Sequence, residues 1–289
     1  MSHPQPTIDL NCDLGEGYGA WSMGPDEALL EIVTSANVAC GFHAGDPTTM
    51  RRVCERAAGL GVVIGAHVGY RDLAGFGRRP MTVPAEELAD EIVYQIAALD
   101  GFARLAGTRV GYVKPHGALY NTVAVDAAQA SALAEAAYRY DRGLAVLGLA
   151  GSAGLDLAAQ RELVTVPEAF ADRAYTADGR LVPRSVSGAV IHDVDKIIKR
   201  CLSMVLTGKV RTVDGKTLRI QPRSLCVHGD TPGAVEIARE LRDALLAAGV
   251  VPTPFVELEA QDVFRDGVAP FADAREPVLF RDGIKDGTV

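Results

Sequence analysis

The sequence has no apolar run long enough to cross a bilayer. Its start, Met1-Ser-His-Pro-Gln-Pro6, carries neither the positive charge nor the apolar stretch of a secretory leader. A cytoplasmic protein with no membrane attachment is therefore expected. Closely spaced cysteine pairs are missing too. The five cysteines (Cys12, Cys40, Cys54, Cys201, Cys226) are odd in number and show no Cys-x-x-Cys spacing. That argues against a disulfide framework or a structural zinc site and fits reduced thiols. Aromatic residues make up only 6%, too few for a surface that stacks bases in series. Positive charge is in deficit. Lys and Arg number 29 against 37 Asp and Glu, giving a formal net charge of -8 that repels a phosphate backbone, so no nucleic-acid partner is expected. Nucleotide motifs are also lacking. Gly15-Glu-Gly-Tyr-Gly-Ala20 follows a strand, but no helix opens at its second glycine. Gly215-Lys216-Thr217 matches the end of a phosphate-binding loop, but Val210 stands where that loop needs its first glycine.

The 289 residues are 48% apolar and 23% charged, enough to bury a substantial core. Strand-then-helix alternation runs along the chain. Strands are expected at 7–10, 35–39, 62–66, 110–113, 144–149, 163–166 and 224–227. Helices are expected at 25–34, 47–60, 84–106, 126–138, 153–160, 193–206 and 232–248. The 84–106 helix has Leu88, Ile92, Ile96 and Leu99 at three- and four-residue spacing. Continuous apolar strands between helices imply a parallel sheet covered on both faces. Seven such units suit an α/β fold closed as a seven-stranded parallel β/α barrel, with an open doubly wound sheet as the alternative. We read one domain over 1–289, with a hairpin insertion near 208–222 turning at Val213-Asp-Gly-Lys216. A loosely packed C-terminal tail is expected from Asp266.

In parallel α/β folds, chemistry gathers at the carboxyl ends of strands. After the first strand come Asn11, Asp13 and Glu16, and after the second Cys40-Gly-Phe-His43 and Asp46. The third leads to His67, Tyr70 and Asp72, and the fourth to Lys114-Pro-His-Gly117. The sixth leads to Glu168, Asp172 and Arg173, and the last to His228-Gly-Asp230. Four of the six histidines thus follow strands and would meet at one barrel mouth. Plainer roles exist for some of these residues. Asp46 and Asp230 suit helix N-caps, and Asp13 and Glu16 suit solvated turns. Arg78, Arg79 and Arg184 are candidate carboxylate binders or ion-pair partners. The glycine-rich 69–80 segment suits either a lid or packing against a second copy in a homo-oligomer.

At these residues the sequence resembles the LamB/YcsF family. The blocks are Asp9-Leu-Asn-Cys-Asp-Leu-Gly-Glu-Gly-Tyr-Gly19, Asn37-Val-Ala-Cys-Gly-Phe-His-Ala-Gly-Asp46, Gly65-Ala-His67 and Gly75-Phe-Gly-Arg-Arg79. They continue with Val113-Lys-Pro-His-Gly-Ala-Leu-Tyr-Asn121, Glu168-Ala-Phe-Ala-Asp-Arg173 and Val227-His-Gly-Asp230. They run in order over most of the chain. Val68 stands where the family's Gly-Ala-His-Pro-Gly-Tyr block has Pro. The resemblance implies a barrel of the glycoside hydrolase/deacetylase type. It also implies one component of a three-part 5-oxoprolinase, the A component, which works with the B and C subunits. That enzyme opens 5-oxo-L-proline to L-glutamate with ATP as co-substrate.

The chemistry such a reaction needs is present. An unstrained lactam resists water, whereas phosphorylating its oxygen makes the ring carbon electrophilic. Attack then requires a base, a proton for the departing nitrogen and a positive group facing the developing charge. The candidate catalytic residues are Asp13, His43, Lys114, His116, Glu168 and Asp230, with Lys114 and His116 as the electrostatic and acid/base pair. The candidate substrate-binding residues are Asn11, Glu16, His67, Arg78, Arg184 and His228. A divalent metal on Asp13, His43 and His67 is the less favoured arrangement, because no compact His-x-x-x-His spacing supports it. Rival readings are a stand-alone metal-dependent amidase or carbohydrate deacetylase, which would need neither ATP nor partners, and a barrel that only binds or scaffolds.

Overall fold

The structure, a computed structural model, describes residues 5–229 and 233–257. The first strand, β1 (Thr7–Leu14), is followed by a short helix α1 (Asp26–Leu30) and then β2 (Ser35–Ala39). Helix α2 (Pro47–Leu60) begins on Asp46, whose carboxylate accepts from the amides of Thr48 at 2.9 Å and Thr49 at 3.0 Å. It ends on Gly61 at φ 69°, a left-handed position that glycine takes without strain. Asp46 also accepts from the Gly19 amide at 2.9 Å, so its work is to cap a helix and pin a loop.

β3 (Val63–Val68) leads through a 3₁₀ turn at Leu73–Gly75 to the long helix α3 (Ala85–Leu105). Leu88, Ile92, Ile96 and Leu99 are fully buried there, as their spacing predicts, each contributing about 2 kcal/mol of apolar burial. β4 (Val110–Pro115) runs into α4 (Gly117–Val123), then α5 (Ala127–Tyr140), β5 (Ala145–Leu149), α6 (Ala153–Gln160) and β6 (Val164–Phe170). After a looped excursion come α7 (Val194–Thr207), β7 (Lys209–Arg211) and β8 (Thr217–Arg219). β9 (Ser224–His228), α8 (Ala234–Ala247) and β10 (Val251–Pro252) complete the order. β7 and β8 pair antiparallel, the hairpin expected around 208–222.

β1 to β6 and then β9 pair in parallel, each with the next, and β9 also pairs with β1 through Asp9↔Ser224 to Asp13↔His228. That last pairing closes a seven-stranded parallel barrel and rules out the open doubly wound sheet. Inside the lower barrel Val63, Tyr112, Ala145, Leu147 and Val166 pack together, with Phe255 and Val256 against them. The Tyr112 and Phe255 rings meet edge to face, with centroids 4.9 Å apart. A Cβ on Gly65 would lie 2.1 Å from the Tyr112 ring, so a glycine is required there.

Several boundaries differ from the sequence reading. β1 continues past Leu10 to Leu14, which puts Asn11 and Asp13 inside the strand rather than after it. The physical reason is its alternation. Asp9, Asn11 and Asp13 form the face turned into the barrel, while Leu10, Cys12 and Leu14 join the core shared with the helices. A polar interior face resembles a strand ending in a loop. β3, β4 and β6 also run further than expected, and α1 is shorter. α4 is an addition, because its single apolar turn gives no period to read. The tail expected from Asp266 lies outside the described residues.

Candidate active site at the barrel mouth

Lys114 stands at the end of β4 and is only 1% exposed. Its ammonium lies 2.9 Å from Asp13 Oδ1 and 2.8 Å from Glu168 Oε1. Asn11 Oδ1 and Cys226 Sγ are each 3.3 Å away. Burial works against its charge, but Asp13, Cys226 and Glu168 outweigh that and hold the ammonium well above its ordinary range. Asp13 is penalised by burial yet held well below the usual carboxylate range by His67 and Lys114. These neighbours are fixed in turn. Asn11 Nδ2 donates to Glu168 at 3.0 Å and to Ser224 Oγ at 2.6 Å. Asn37 Nδ2 donates to Asn11 at 2.7 Å and Asp13 at 2.8 Å, and its Oδ1 accepts from the Tyr112 hydroxyl at 2.6 Å. The Tyr120 hydroxyl donates to Glu168 Oε2 at 2.9 Å. The result is a charged, hydrogen-bonded floor spanning β1, β2, β4, β6 and β9.

A second group stands beside it. His116 Nε2 lies 2.8 Å from the Phe76 carbonyl, so that nitrogen carries a proton. Its Nδ1 then accepts from His67 Nε2 at 3.0 Å, with Glu16 Oε1 at 3.7 Å. His67 also touches Asp13 Oδ2 at 3.4 Å and the Lys114 carbonyl at 3.3 Å. His43 stacks on His116 at 3.8 Å between ring centroids. Burial and then neighbouring imidazoles push His43 and His116 well below the ordinary histidine range. Gly69 and Gly77 leave the space: a Cβ at either would fall within 2.8 Å of a His43 or His116 atom.

His228, at the end of β9, forms the third group. Its Nδ1 is 2.7 Å from Asp172 Oδ1, an orientation that directs Nδ1–H at the carboxylate and makes Nε2 the basic nitrogen. A cavity of about 440 Å³ opens over these groups, a volume in the range of small-molecule sites. Asp13, Glu16, His67, Arg78, Lys114, His116, Arg184 and His228 line it. Asn11, His43 and Glu168 do not; they support the floor and wall from behind. Asp230 lies outside the described residues. Arg79 is absent from the lining and pairs with Asp72, which also accepts from the Gly75 amide at 3.0 Å, tying down the 69–80 loop. Val68 is buried as the last residue of β3, and its carbonyl accepts from the His116 amide at 2.7 Å.

Reading the sequence does not single out Asn37, Tyr112, Tyr120, Ser224 or Cys226 as site residues, and gives Asp172 and Arg173 no role. Period-two placement on barrel strands is the signal that finds Asn37, Tyr112, Ser224 and Cys226, once the strands are known to face inward. Nothing local marks Tyr120, which reaches Glu168 from α4.

Glu16, His43, His67 and His116 each offer a ligand atom, and these atoms all lie within 4.8 Å of one another in buried surroundings. Both ring nitrogens of His43 are buried without a hydrogen-bond partner. Three imidazoles and a carboxylate are a donor set that suits a divalent ion such as zinc. The four come from four separate segments, so no linear spacing announces them.

The fold and site thus define a parallel β/α barrel with an ionisable, enclosed mouth. Residues 8–260 match the LamB/YcsF family, and the chain belongs to it. A protein of Mycolicibacterium gilvum, named as the A subunit of 5-oxoprolinase, is 59% identical over 249 residues, 86% of this chain and 99% of that protein. A Streptomyces avermitilis protein of the same name is 59% identical over 243 residues, 84% of this chain and 97% of its own. The crystal structure of a lactam utilization protein from Thermus thermophilus superposes with a TM-score of 0.82 at 42% identity, covering 86% of this chain and all of that one. A protein of Enterococcus faecalis described as a putative cellobiose-phosphate cleavage protein shares the fold at a TM-score of 0.51 and 12% identity, over 86% and 97% of the two chains. No helix among the described residues is long and apolar enough to cross a membrane.

Proposed function

We propose that this chain is the A subunit of a 5-oxoprolinase, which works with B and C subunits to open 5-oxo-L-proline to L-glutamate with hydrolysis of ATP. The observation that carries the reading is a buried, charged Lys114 flanked by carboxylates on the floor of a cavity whose wall presents a carboxylate-oriented histidine. The names of relatives 59% identical support the substrate and the role within a complex. The lack of a nucleotide-binding loop in the sequence supports ATP being handled with the partners.

The reaction runs in balanced steps. The lactam oxygen takes the terminal phosphoryl group of ATP and ADP leaves. Water adds to the ring carbon, the carbon–nitrogen bond breaks, and the nitrogen takes a proton, leaving a γ-acyl phosphate. A second water releases phosphate and L-glutamate. Both nitrogens of His116 are engaged by protein groups, so the proton transfers are assigned to His228. Held by Asp172, it takes a proton from water through Nε2 and returns it to the departing nitrogen. Lys114 faces the charge that develops on the oxygen, already desolvated and fixed. Arg78 holds the substrate carboxylate. His228→Gln is expected to lower kcat by about 10²-fold or more, and Asp172→Asn to do the same with little change in KM. Full activity in either variant within an assembled complex would remove His228 from this role.

The two orphaned nitrogens of His43 favour a second reading in which Glu16, His43, His67 and His116 hold a divalent ion. Such an ion would supply Lewis-acid polarisation at the mouth. A metal analysis of protein purified without chelator is expected to find about one ion per chain, and none in His43→Ala. A metal-free wild-type protein would contradict this reading. A metal-loaded chain that hydrolyses amides without ATP or partners would instead favour the stand-alone amidase.

A further inference from the structure

The cavity is asymmetric in charge. Its floor carries Asp13, whose charge Lys114 balances. Its outer wall, built by the loop between β6 and α7, carries Arg173, Arg180 and Arg184. The acids near that wall are engaged. Asp172 is paired with His228, and Asp178 with Arg180 at 3.1 Å. Arg184 is exposed and makes no hydrogen bond or ion pair among the described residues. Arg173 is only 7% exposed. Its Nη2 donates to the Val182 carbonyl at 2.6 Å, but its Nε is buried without a partner. Burial, then the nearby charge of Arg184, pull its pKa down to about 10 against the pull of Asp172. Asp172 acts on this guanidinium only at a distance, and among the described residues no carboxylate forms an ion pair with it.

We propose that Arg173 and Arg184 form a subsite for a phosphoryl group, so that this mouth receives the lactam together with a phosphate rather than the lactam alone. The inference rests on the proposed function and deepens it. In the balanced scheme the phosphoryl group stays on the substrate oxygen through ring opening and leaves only with the second water. A site that opens the ring must therefore seat a dianion beside the reacting carbon. Two guanidinium groups, one desolvated and one exposed, match its charge and its several acceptor oxygens. The phosphoryl group could arrive on the lactam oxygen or as the terminal phosphate of ATP. Both sources present the same chemistry to the arginines.

The test is calorimetric titration of the full chain with inorganic phosphate, ATP and 5-oxo-L-proline in separate arms. Wild-type protein is expected to bind phosphate, with affinity about tenfold or more lower in Arg184→Ala and in Arg173→Lys, and 5-oxo-L-proline binding retained. Arg184 is exposed, so its variant reads the subsite even if substituting the buried Arg173 disturbs folding. ATP binding tighter than phosphate and weakened by the same variants would identify the nucleotide as the source. ATP binding no tighter than phosphate would identify the phosphorylated lactam. Absent phosphate binding, or binding that Arg184→Ala leaves unchanged, would overturn the subsite. Loss of 5-oxo-L-proline binding in Arg184→Ala with phosphate binding intact would also overturn it, assigning the arginines to the carboxylate. Wild-type protein that binds phosphate through these arginines but never 5-oxo-L-proline would leave the subsite standing and defeat the proposed substrate.

Discussion

Lys114 illustrates how a single side chain carries a cost that only its surroundings remove. A lone ammonium at 1% exposure would neutralise; between Asp13 and Glu168 it stays charged. Asp9, two steps of alternation below Asp13, shows the opposite balance. It is fully enclosed, and hydroxyl donors from Thr34 and Ser35, each at 2.6 Å, and from Ser224 do not compensate its burial. Burial raises its pKa to about 6 from 3.8, against the pull of those hydroxyls. The folded state therefore holds a proton that the unfolded state has released between these values. Stability from Asp9 is fully present below about pH 4 and is lost as pH rises through about 6, a penalty of about 3 kcal/mol at neutral pH. Asp9→Asn is expected to be more stable than wild type in denaturant unfolding near pH 7, by up to that amount, with the gap closing towards pH 4. A gap independent of pH would show that Asp9 is ionised in the fold throughout. The sequence makes Lys114, Asp13 and Glu168 readable as mouth residues, but not their mutual contacts, which join three strands far apart in the chain.

Elements are legible where a period or a cap announces them. The Asp46 cap with Gly61 bounds α2, and the apolar stripe from Leu88 to Leu99 gives α3 to within a residue at each end. β1 reads short because its inner face is polar, and α4 escapes because one turn has no period. The same inward polarity explains why the supporting residues Asn37, Ser224 and Cys226 go unnoticed: alternation is visible, but its direction requires knowing that the sheet closes. Packing inside the barrel in turn depends on Gly65, whose missing side chain admits the Tyr112 ring to the inner cluster. Gly65→Ala is expected to destabilise the protein by about 1–3 kcal/mol by overpacking, measured by denaturant unfolding. An unchanged midpoint would mean that Tyr112 moves freely and does not set the floor under Asn37.

At the scale of the whole molecule, the barrel collects residues from Asn11 to His228 at one end and leaves their chemistry enclosed. The family resemblance makes the barrel and most mouth residues readable in advance. The four-donor group and the Asp172–His228 pair emerge only from assembly, since each unites distant segments; the wall arginines share one loop, but only the fold turns that loop to the cavity. In the proposed function this mouth is the ring-opening site of a complex that needs ATP and partner subunits. The most direct test measures L-glutamate release from 5-oxo-L-proline with ATP, using this chain alone, with the B and C subunits, and with B and C plus the Lys114→Ala chain in place of wild type. Glutamate only from the wild-type complex, with the Lys114→Ala complex reduced about 10²-fold or more while still assembling, is the predicted result. Glutamate from the chain alone, or from the complex regardless of Lys114, would contradict it.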